Sequence, residues 1–458
     1  MRALESPPAL LDLARSIRAG DTTAEAATER CLAAIGERDG SINAFITVTA
    51  DAARDAARTA DRELASGRDR GPLHGVPMSI KDILDIAGLP TTAASRVPRN
   101  HVAARDAIVV ARLRDAGAVF VGKTNLHEFA LGTTNEESAY GPVHHPLDPT
   151  RSPGGSSGGS AASILAGMAF ASMGTDTGGS VRIPAAACGL VGLKPVFRDV
   201  PTQGVVPLST SLDHVGPLCA TVADAAAIYR VIADAPGFAA SPQPGDPREL
   251  RLGVPRRYFL DLLDDDVARA FDETCARLAA AGVRLDDVTI PHAAEIGAVY
   301  LHVALTEAAA FHSRTLETQP DDYTPTVRAR LEAGRYVLAE DYIRALRGRD
   351  VLRRDVMAAL EGHDALLLPA LAVPATPLGA ATMRVSGVDE PVRNVTLRLT
   401  QLFNLTGHAA ITVPCGTTGG GLPIGAQLAA PSTAGLLAVA ATLEPWIRGQ
   451  AVTSPRLT

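Results

Sequence analysis

Apolar and polar positions along the chain alternate between helical and strand-like spacing. Ala9 to Ala19 carries leucine and isoleucine at helical intervals and stops at Gly20. Thr22 with Glu25 makes a capping-box signature for a second helix to about Ile35. Ile42 to Thr49 reads as a strand, and Ala52 to Leu64 as an alanine-rich helix with its charges outward. A short apolar run then ends at Lys81, followed by a helix over Ala107 to Ala116 and a buried strand over Ala118 to Val121. Ala161 to Met173 is too apolar for a flexible linker and too short for a membrane span, and reads as a helix followed by a strand. Ala185 to Leu190 and Thr221 to Ala233 read as helices, with a strand at Val205 to Leu208. Leu250 to Val254, Val267 to Ala281 and Val283 to Ile290 give strand, helix, strand. Ala298 to Leu360 is helical, and its arginine run reads as a solvated face. Ala365 to Pro369, Ile411 to Val413 and Ile424 to Leu428 are strands, Pro377 to Pro391 a loop, and Thr433 to Trp446 a closing helix. This βα alternation favours a parallel or mixed sheet.

Composition narrows the class without naming an activity. A length of 458 residues alone suggests two or three domains, although large α/β enzymes often form a single unit, and Pro236 to Pro247, the best linker candidate, is read as a surface loop within one fold. The net charge of −7 is spread without a basic stripe, which argues against nucleic acid or an anionic membrane as the main partner. Cys31, Cys188, Cys219, Cys275 and Cys415 form no CxxC pair and read as buried or free thiols of a reducing compartment. No basic-then-apolar leader and no run of transmembrane length is present, so a soluble cytoplasmic protein is expected. His127, His144 and His145 lack acidic or cysteine partners at ligand spacing, so no metal is expected.

The chemistry concentrates in Arg151 to Pro195, where Ser156 lies in GGSSGGS and Ser180 in DTGGS. A serine attacks a carbonyl only if one group takes its proton and another receives the charge on oxygen. Glycines before Ser180 let several N–H groups converge on one point. Asp176 and Arg182 make a plausible ion pair around this second nest. A flexible linker is the plain alternative. The GGSSG tract also matches a nucleophile elbow, which would need His363 or His408 as base. A phosphate loop is excluded because no Gly-Lys-Ser/Thr follows the glycines. Upstream, GVPMSIKD puts Lys81 at the end of a strand-like run, with Ile80, Ile83 and Leu84 beside it to bury it.

Taken together, Lys81, Ser156 and Ser180 resemble the Ser–cisSer–Lys triad of the amidase signature family. GPLHGVPMSIKD, VGKTNLHEFALGTTNEESAYGP, SLDHVGPL, FNLTGHAAITVPCG and LPIGAQL agree in order and wording, from about Leu11 to Trp446. The resemblance implies one large α/β domain over 1–458, a mixed twisted β-sheet surrounded by helices. Within it would lie an N-terminal helical collar (1–66), a catalytic core (75–195) and a variable helical and loop region over the substrate entrance (296–400). It implies Ser180 as nucleophile, Ser156 as proton relay after a cis Gly155–Ser156 bond, and Lys81 as base. The N–H groups of Thr177, Gly178, Gly179 and Ser180 would form the oxyanion hole. Lys81 must be neutral to accept a proton, whereas a free lysine has a pKa of ~10.4, and burial lowers it. Ser157 would support Lys81 by a hydrogen bond, and Gly132, Thr133, Thr134 and Asn135 are candidates for the substrate pocket. No histidine or cofactor is required. The expected activity is hydrolysis of linear amides, with aryl esters and carbamates open to the same chemistry, by a monomer or homodimer. The wording AEDYIRALRGRDVLRRDV after Ala298 looks closer to free-standing amidases. The alternatives are the glutaminase subunit of a tRNA-dependent amidotransferase and an inactive binding protein on the same scaffold.

Overall fold

The computed structural model describes residues 7–97, 101–235, 237 and 242–450. The strands are β1 (Phe45–Val48), β2 (Pro77–Lys81), β3 (Val119–Thr124), β4 (Ala171–Asp176), β5 (Val191–Lys194), β6 (His214–Cys219), β7 (Arg251–Pro255), β8 (Arg284–Val288), β9 (Ala365–Pro369), β10 (Thr382–Val385), β11 (Val388–Pro391), β12 (Ala409–Thr417) and β13 (Pro423–Ala430). Among the described residues, 11 of them form one sheet ordered β1-β3-β2-β4-β6-β5-β12-β13-β9-β7-β8, and β10 pairs with β11 apart from it. The flanks are parallel, β3-β2-β4 on one side and β9-β7-β8 on the other. The middle, from β4 to β9, is antiparallel throughout. The sheet continues across both sides of the 236–247 stretch, which lies partly outside the described residues. The expected single α/β domain with a mixed sheet is therefore the observed architecture.

Helices cover the sheet, so the central strands are apolar on both faces rather than alternating. Every residue of β2, β3, β4, β5, β6 and β9 is buried. One hydrophobic cluster runs from Leu10 in the first helix to Ile447 in the last. It includes Leu402, Phe403 and Leu405, which face the core. No helix among the described residues is long and apolar enough to cross a membrane.

Several boundaries differ from the sequence reading. The second helix is capped by Thr23 rather than Thr22, and continues to Ile42, where Asn43 turns left-handed with φ 60°. Thus β1 is shorter than the Ile42–Thr49 expectation. Val205–Leu208 is no strand, and Val205 makes only an isolated bridge to Leu84. The strand of that region is β6, whose Gly216 and Pro217 disguise it. A Cβ on Gly216 would collide with the Leu193 carbonyl of β5, so the bare α-carbon is what lets the two strands meet. Pro377–Pro391 is not a plain loop either, since β10 and β11 form a hairpin within it.

At the end of β4, Asp176 and Arg182 form a fully buried, two-toothed ion pair, with Nη2–Oδ1 at 2.9 Å and Nε–Oδ2 at 3.0 Å. The remaining guanidinium protons are met by Gln427 Oε1 (2.6 Å), Asn404 Oδ1 (2.6 Å) and the Thr400 carbonyl (2.9 Å). Burial alone would raise the Asp176 carboxyl, but the guanidinium overrides it and holds the group far below the usual range. The pair ties the turn after β4 to β13 and to the Gln401–Thr406 helix. Removing one member strands the other charge in the interior. Asp176→Ala is expected to cost about 3–5 kcal/mol in urea unfolding; a loss below about 1 kcal/mol would contradict this role of the pair.

Candidate active site

Strand alternation sends the side chains of Lys81 and Asp82 to different places at the end of β2. Asp82 turns to Lys123 on β3, with Nζ–Oδ1 at 2.6 Å and both groups fully buried. Lys81 turns the other way, and its Nζ lies 2.7 Å from Ser156 Oγ and 2.8 Å from Thr175 Oγ1. Thr175 belongs to β4, the parallel neighbour of β2. Burial pulls the Lys81 pKa down to about 7, against the opposing charges of Asp176 and Asp213. The amine is therefore available as a base near neutral pH.

Ser156 stands in the turn before the Gly158–Leu165 helix, and the Gly155–Ser156 peptide is cis. Gly155 is pressed against Thr133, Thr134 and Asn135: a Cβ there would lie 2.8 Å from the Asn135 nitrogen. Asn135 Oδ1 accepts the Gly158 N–H (3.0 Å), and Thr133 Oγ1 accepts a bond from Thr396 (2.9 Å). Thr133 to Asn135 thus brace the serine turn from behind. Gly132 lies under the His127 ring, which leaves no room for a side chain. Ser157 does not reach Lys81. Its hydroxyl donates to the Thr175 carbonyl (3.3 Å) and its N–H to the Ser180 carbonyl (3.2 Å), joining the two nests.

The second nest is shaped by glycine. Gly179 has φ 141°, a conformation that side chains disfavour, and a Cβ there would collide with Thr400 Oγ1. A Cβ on Gly178 would collide with the Tyr300 hydroxyl. Thr400 Oγ1 donates to the Gly178 carbonyl (2.6 Å), Thr177 Oγ1 donates to Asp213 Oδ1 (2.6 Å), and the Val181 N–H donates to Asp176 Oδ2 (3.2 Å). Among the described residues, the N–H groups of Gly178, Gly179 and Ser180 donate to no protein acceptor. These converging donors suit an oxyanion. Ser180 is buried beside them at 5 % exposure. A buried serine, a second serine bonded to an amine of lowered pKa and N–H donors without protein acceptors are parts that acyl transfer uses.

Two arginines that the sequence did not single out act on this region through the buried His127. His127 is buried, and neither ring nitrogen has a hydrogen-bond partner among the described residues. Burial, and then the charges of Arg330, Arg393 and Lys81, push its pKa down to about 3. The ring is neutral. Burial and the nearby Arg393 lower the Arg330 guanidinium to about 10, which leaves it charged at neutral pH. Arg330 donates to the Leu131 carbonyl (2.9 Å), and neither arginine forms an ion pair with a carboxylate among the described residues. Arg330 had no local signal, since it sits in a helical segment rich in arginines. Tyr300, Thr400 and Asn404 come from helices and turns far along the chain and were invisible for the same reason.

The histidine-dependent elbow has no base, because His363 bonds the Ala359 carbonyl and His408 bonds Thr406. His144 and His145 turn to different carbonyls, those of Pro149 and Ala187. Among the described residues no group of three His, Cys, Asp or Glu side chains is placed to hold a metal.

Comparison with known proteins agrees with this fold and site. The family model described as Amidase matches residues 26–434. The chain belongs to this family, the amidase signature enzymes that act on carbon–nitrogen bonds. A crystal structure described as an amidase superposes with a TM-score of 0.90 at 36% identity, covering 96% of this chain and 99% of that one. The A subunit of the glutamyl-tRNA(Gln) amidotransferase of Thermotoga maritima superposes with a TM-score of 0.75 at 30% identity, over 92% and 91% of the two chains. In sequence, the A subunit of the glutamyl-tRNA(Gln) amidotransferase of Chloroflexus aurantiacus is 39% identical over 443 residues, covering 90% of this chain and 91% of its own length. Further curated relatives at 37–39% identity carry the same name. This overturns the expectation of a free-standing hydrolase of linear amides. That expectation rested on the wording after Ala298, which folds as helix with few fully buried residues between Ala339 and Val356.

The position of Lys81 sets a pH dependence. Protonation removes the base, so kcat/KM is expected to fall as pH drops through about 7. Lys81→Ala, Ser156→Ala and Ser180→Ala are each expected to lower turnover by about 10³-fold or more while the far-ultraviolet spectrum stays native. A folded Ser180→Ala protein with near-normal turnover would remove Ser180 from the chemistry.

Proposed function

We propose that this chain is the glutaminase subunit of a tRNA-dependent amidotransferase. The carrying observation is the shared name of curated relatives aligned over about nine-tenths of the chain. A physical feature supports it. The charges of Arg330 and Arg393 both act on the neutral His127, as does that of Lys81, and although Glu137 lies close enough to act on Arg330, neither arginine forms an ion pair among the described residues. An aliphatic amide offers nothing to such a pair, whereas the α-carboxylate of glutamine does.

In this reading Ser180 Oγ attacks the side-chain carbonyl carbon of glutamine. Its proton passes to Ser156, and that of Ser156 to neutral Lys81. The N–H groups of Thr177, Gly178, Gly179 and Ser180 receive the oxyanion. Collapse of the adduct breaks the C–N bond, and the relay running backwards delivers a proton to the leaving nitrogen, releasing ammonia. The glutamyl ester left on Ser180 is then cleared by water, activated through the same relay, to give glutamate. Ammonia is consumed in a partner subunit, which also holds the tRNA, in keeping with a chain of net charge −7. Aryl esters and carbamates share the tetrahedral chemistry and serve as acyl-donor probes. A reaction on tRNA fits the expected cytoplasmic location.

The test measures ammonia release from glutamine by the purified chain, alone and co-expressed with the partner subunits of its own organism. Ser180-dependent release, stimulated by the partners and by glutamyl-tRNA, is expected. Faster turnover of plain aliphatic amides than of glutamine under all these conditions would sink the proposal. Arg330→Ala is expected to raise KM for glutamine about 10–100-fold, the loss of a charge-assisted bond. An uncharged aryl ester should be cleaved with unchanged KM.

A further inference from the structure

The turn from Thr177 to Ser180 must stay fixed while charge develops in front of it, and its own glycines give it no stiffness. Two side chains hold it from outside. Thr400 fixes the Gly178 carbonyl from one side (2.6 Å). Asp213 takes the Thr177 hydroxyl on Oδ1 (2.6 Å), while its Oδ2 accepts the N–H groups of Leu208 (3.0 Å) and Ser209 (3.1 Å). The antiparallel pairing of β4 with β6 sets this up. Asp176 lies opposite His214, so the next residues out, Thr177 and Asp213, meet just beyond the ladder.

The 207–213 loop is itself anchored. Glu307, on the Ile296–Thr318 helix, accepts bonds from Ser209 Oγ (2.7 Å), Ser211 N (3.0 Å) and Ser211 Oγ (2.6 Å). It also accepts the Tyr342 hydroxyl (2.9 Å) from the Ala339–Leu360 helix. A continuous hydrogen-bonded chain therefore runs from two outer helices through Glu307, the serines and Asp213 to Thr177.

We propose that Asp213 is a positioning residue of the amide-cleaving site, which fixes the turn of oxyanion donors through the Thr177 hydroxyl and passes to it the anchorage of Glu307. The inference rests on Ser180 as nucleophile and not on glutamine as substrate. The electrostatics supply a readout that a merely structural prop would not give. Among carboxylates, Asp176 and Asp213 are those whose charge favours protonated Lys81. Asp176 is fixed as an anion by Arg182, whereas burial lifts Asp213 to about 6, against its bond from Thr177 and helped by the like charge of Glu307. Asp213 also lines a cavity of about 450 Å³ with Arg112, Arg198, Asp199 and Thr210, and the titratable groups near Lys81 include His127 and the paired Asp82 and Lys123.

Asp213→Asn cannot accept from Thr177 and from the two loop N–H groups with the same strength, because one of its atoms is now a donor. The experiment compares Asp213→Asn, Thr177→Val and the double variant by kcat, KM and pH profile. Each is followed as Ser180-dependent ammonia release from glutamine and as aryl-ester cleavage. Asp213→Asn is expected to lower kcat about 10–100-fold with KM within about threefold. It should also shift the acid limb of kcat/KM down by ~0.5–1 pH unit, since one anion that favours protonated Lys81 is gone. Thr177→Val should lose a similar factor in kcat with a smaller shift of its acid limb in the same direction, since loss of the hydroxyl raises Asp213 without removing its charge, and the double variant should be no worse than Asp213→Asn alone. Unchanged kcat in either single variant, independent losses that multiply, or an effect on KM alone would overturn the proposal. If Asp213→Asn does not fold, Thr177→Val decides: loss of kcat supports the role and wild-type kcat ends it. Ester cleavage without glutamine cleavage would count against the glutaminase reading and leave Asp213 to be judged on the ester.

Discussion

An amine sealed inside the protein with no carboxylate touching it is the constraint around which this molecule is built. Lys81 is completely buried, and its nearest polar atoms are two hydroxyl oxygens. Carboxylates are close by, yet each is spoken for. Asp82, the next residue, is held by Lys123, Asp176 by Arg182, and Asp213 by the Thr177 hydroxyl and two loop N–H groups. A cation in that setting faces a desolvation cost of several kcal/mol that the charges of Asp176 and Asp213 offset only in part, so the lysine gives up its proton far more readily than a free one. The pairing of its neighbours with other cations is as much a part of the base as the amine itself.

The sheet explains how such an arrangement is held still. β2 and β4 run parallel side by side and bring Lys81 next to Thr175, while the turn after β4 carries the second glycine nest. Arg182 then ties that turn to Gln427 on β13 and to Asn404, across more than two hundred residues of chain. Loops supply the reacting atoms, and strands and buried ion pairs supply their fixed positions.

The sequence disclosed those parts whose chemistry is local. Glycine nests around Ser156 and Ser180 and a lysine at the end of an apolar run are legible because the residue types and their immediate neighbours state the requirement. The α/β architecture was legible from periodicity for similar reasons. β6 was not, because Gly216 and Pro217 are strand breakers whose tolerance depends on what the neighbouring strand needs. Arg330 was hidden among arginines that do face solvent, and only the folded chain separates it from them. The free-standing reading failed for a related reason: the wording of the Ala339–Leu360 helix records little about what the pocket binds.

The cysteines described as core residues have a consequence for reactivity. Four of the five thiols are buried and Cys275 is partly so. Burial raises all five, with Cys31 and Cys415 at about 12 and Cys275 at about 11. Thiolate is therefore scarce at neutral pH, and the strong nucleophiles that usually compete for electrophilic reagents are silenced. With the thiols silenced, the serine proposed as nucleophile, Ser180, is the group an acylating or phosphonylating probe is expected to label first. The stoichiometry of its labelling then counts correctly assembled molecules, independently of which substrate they turn over.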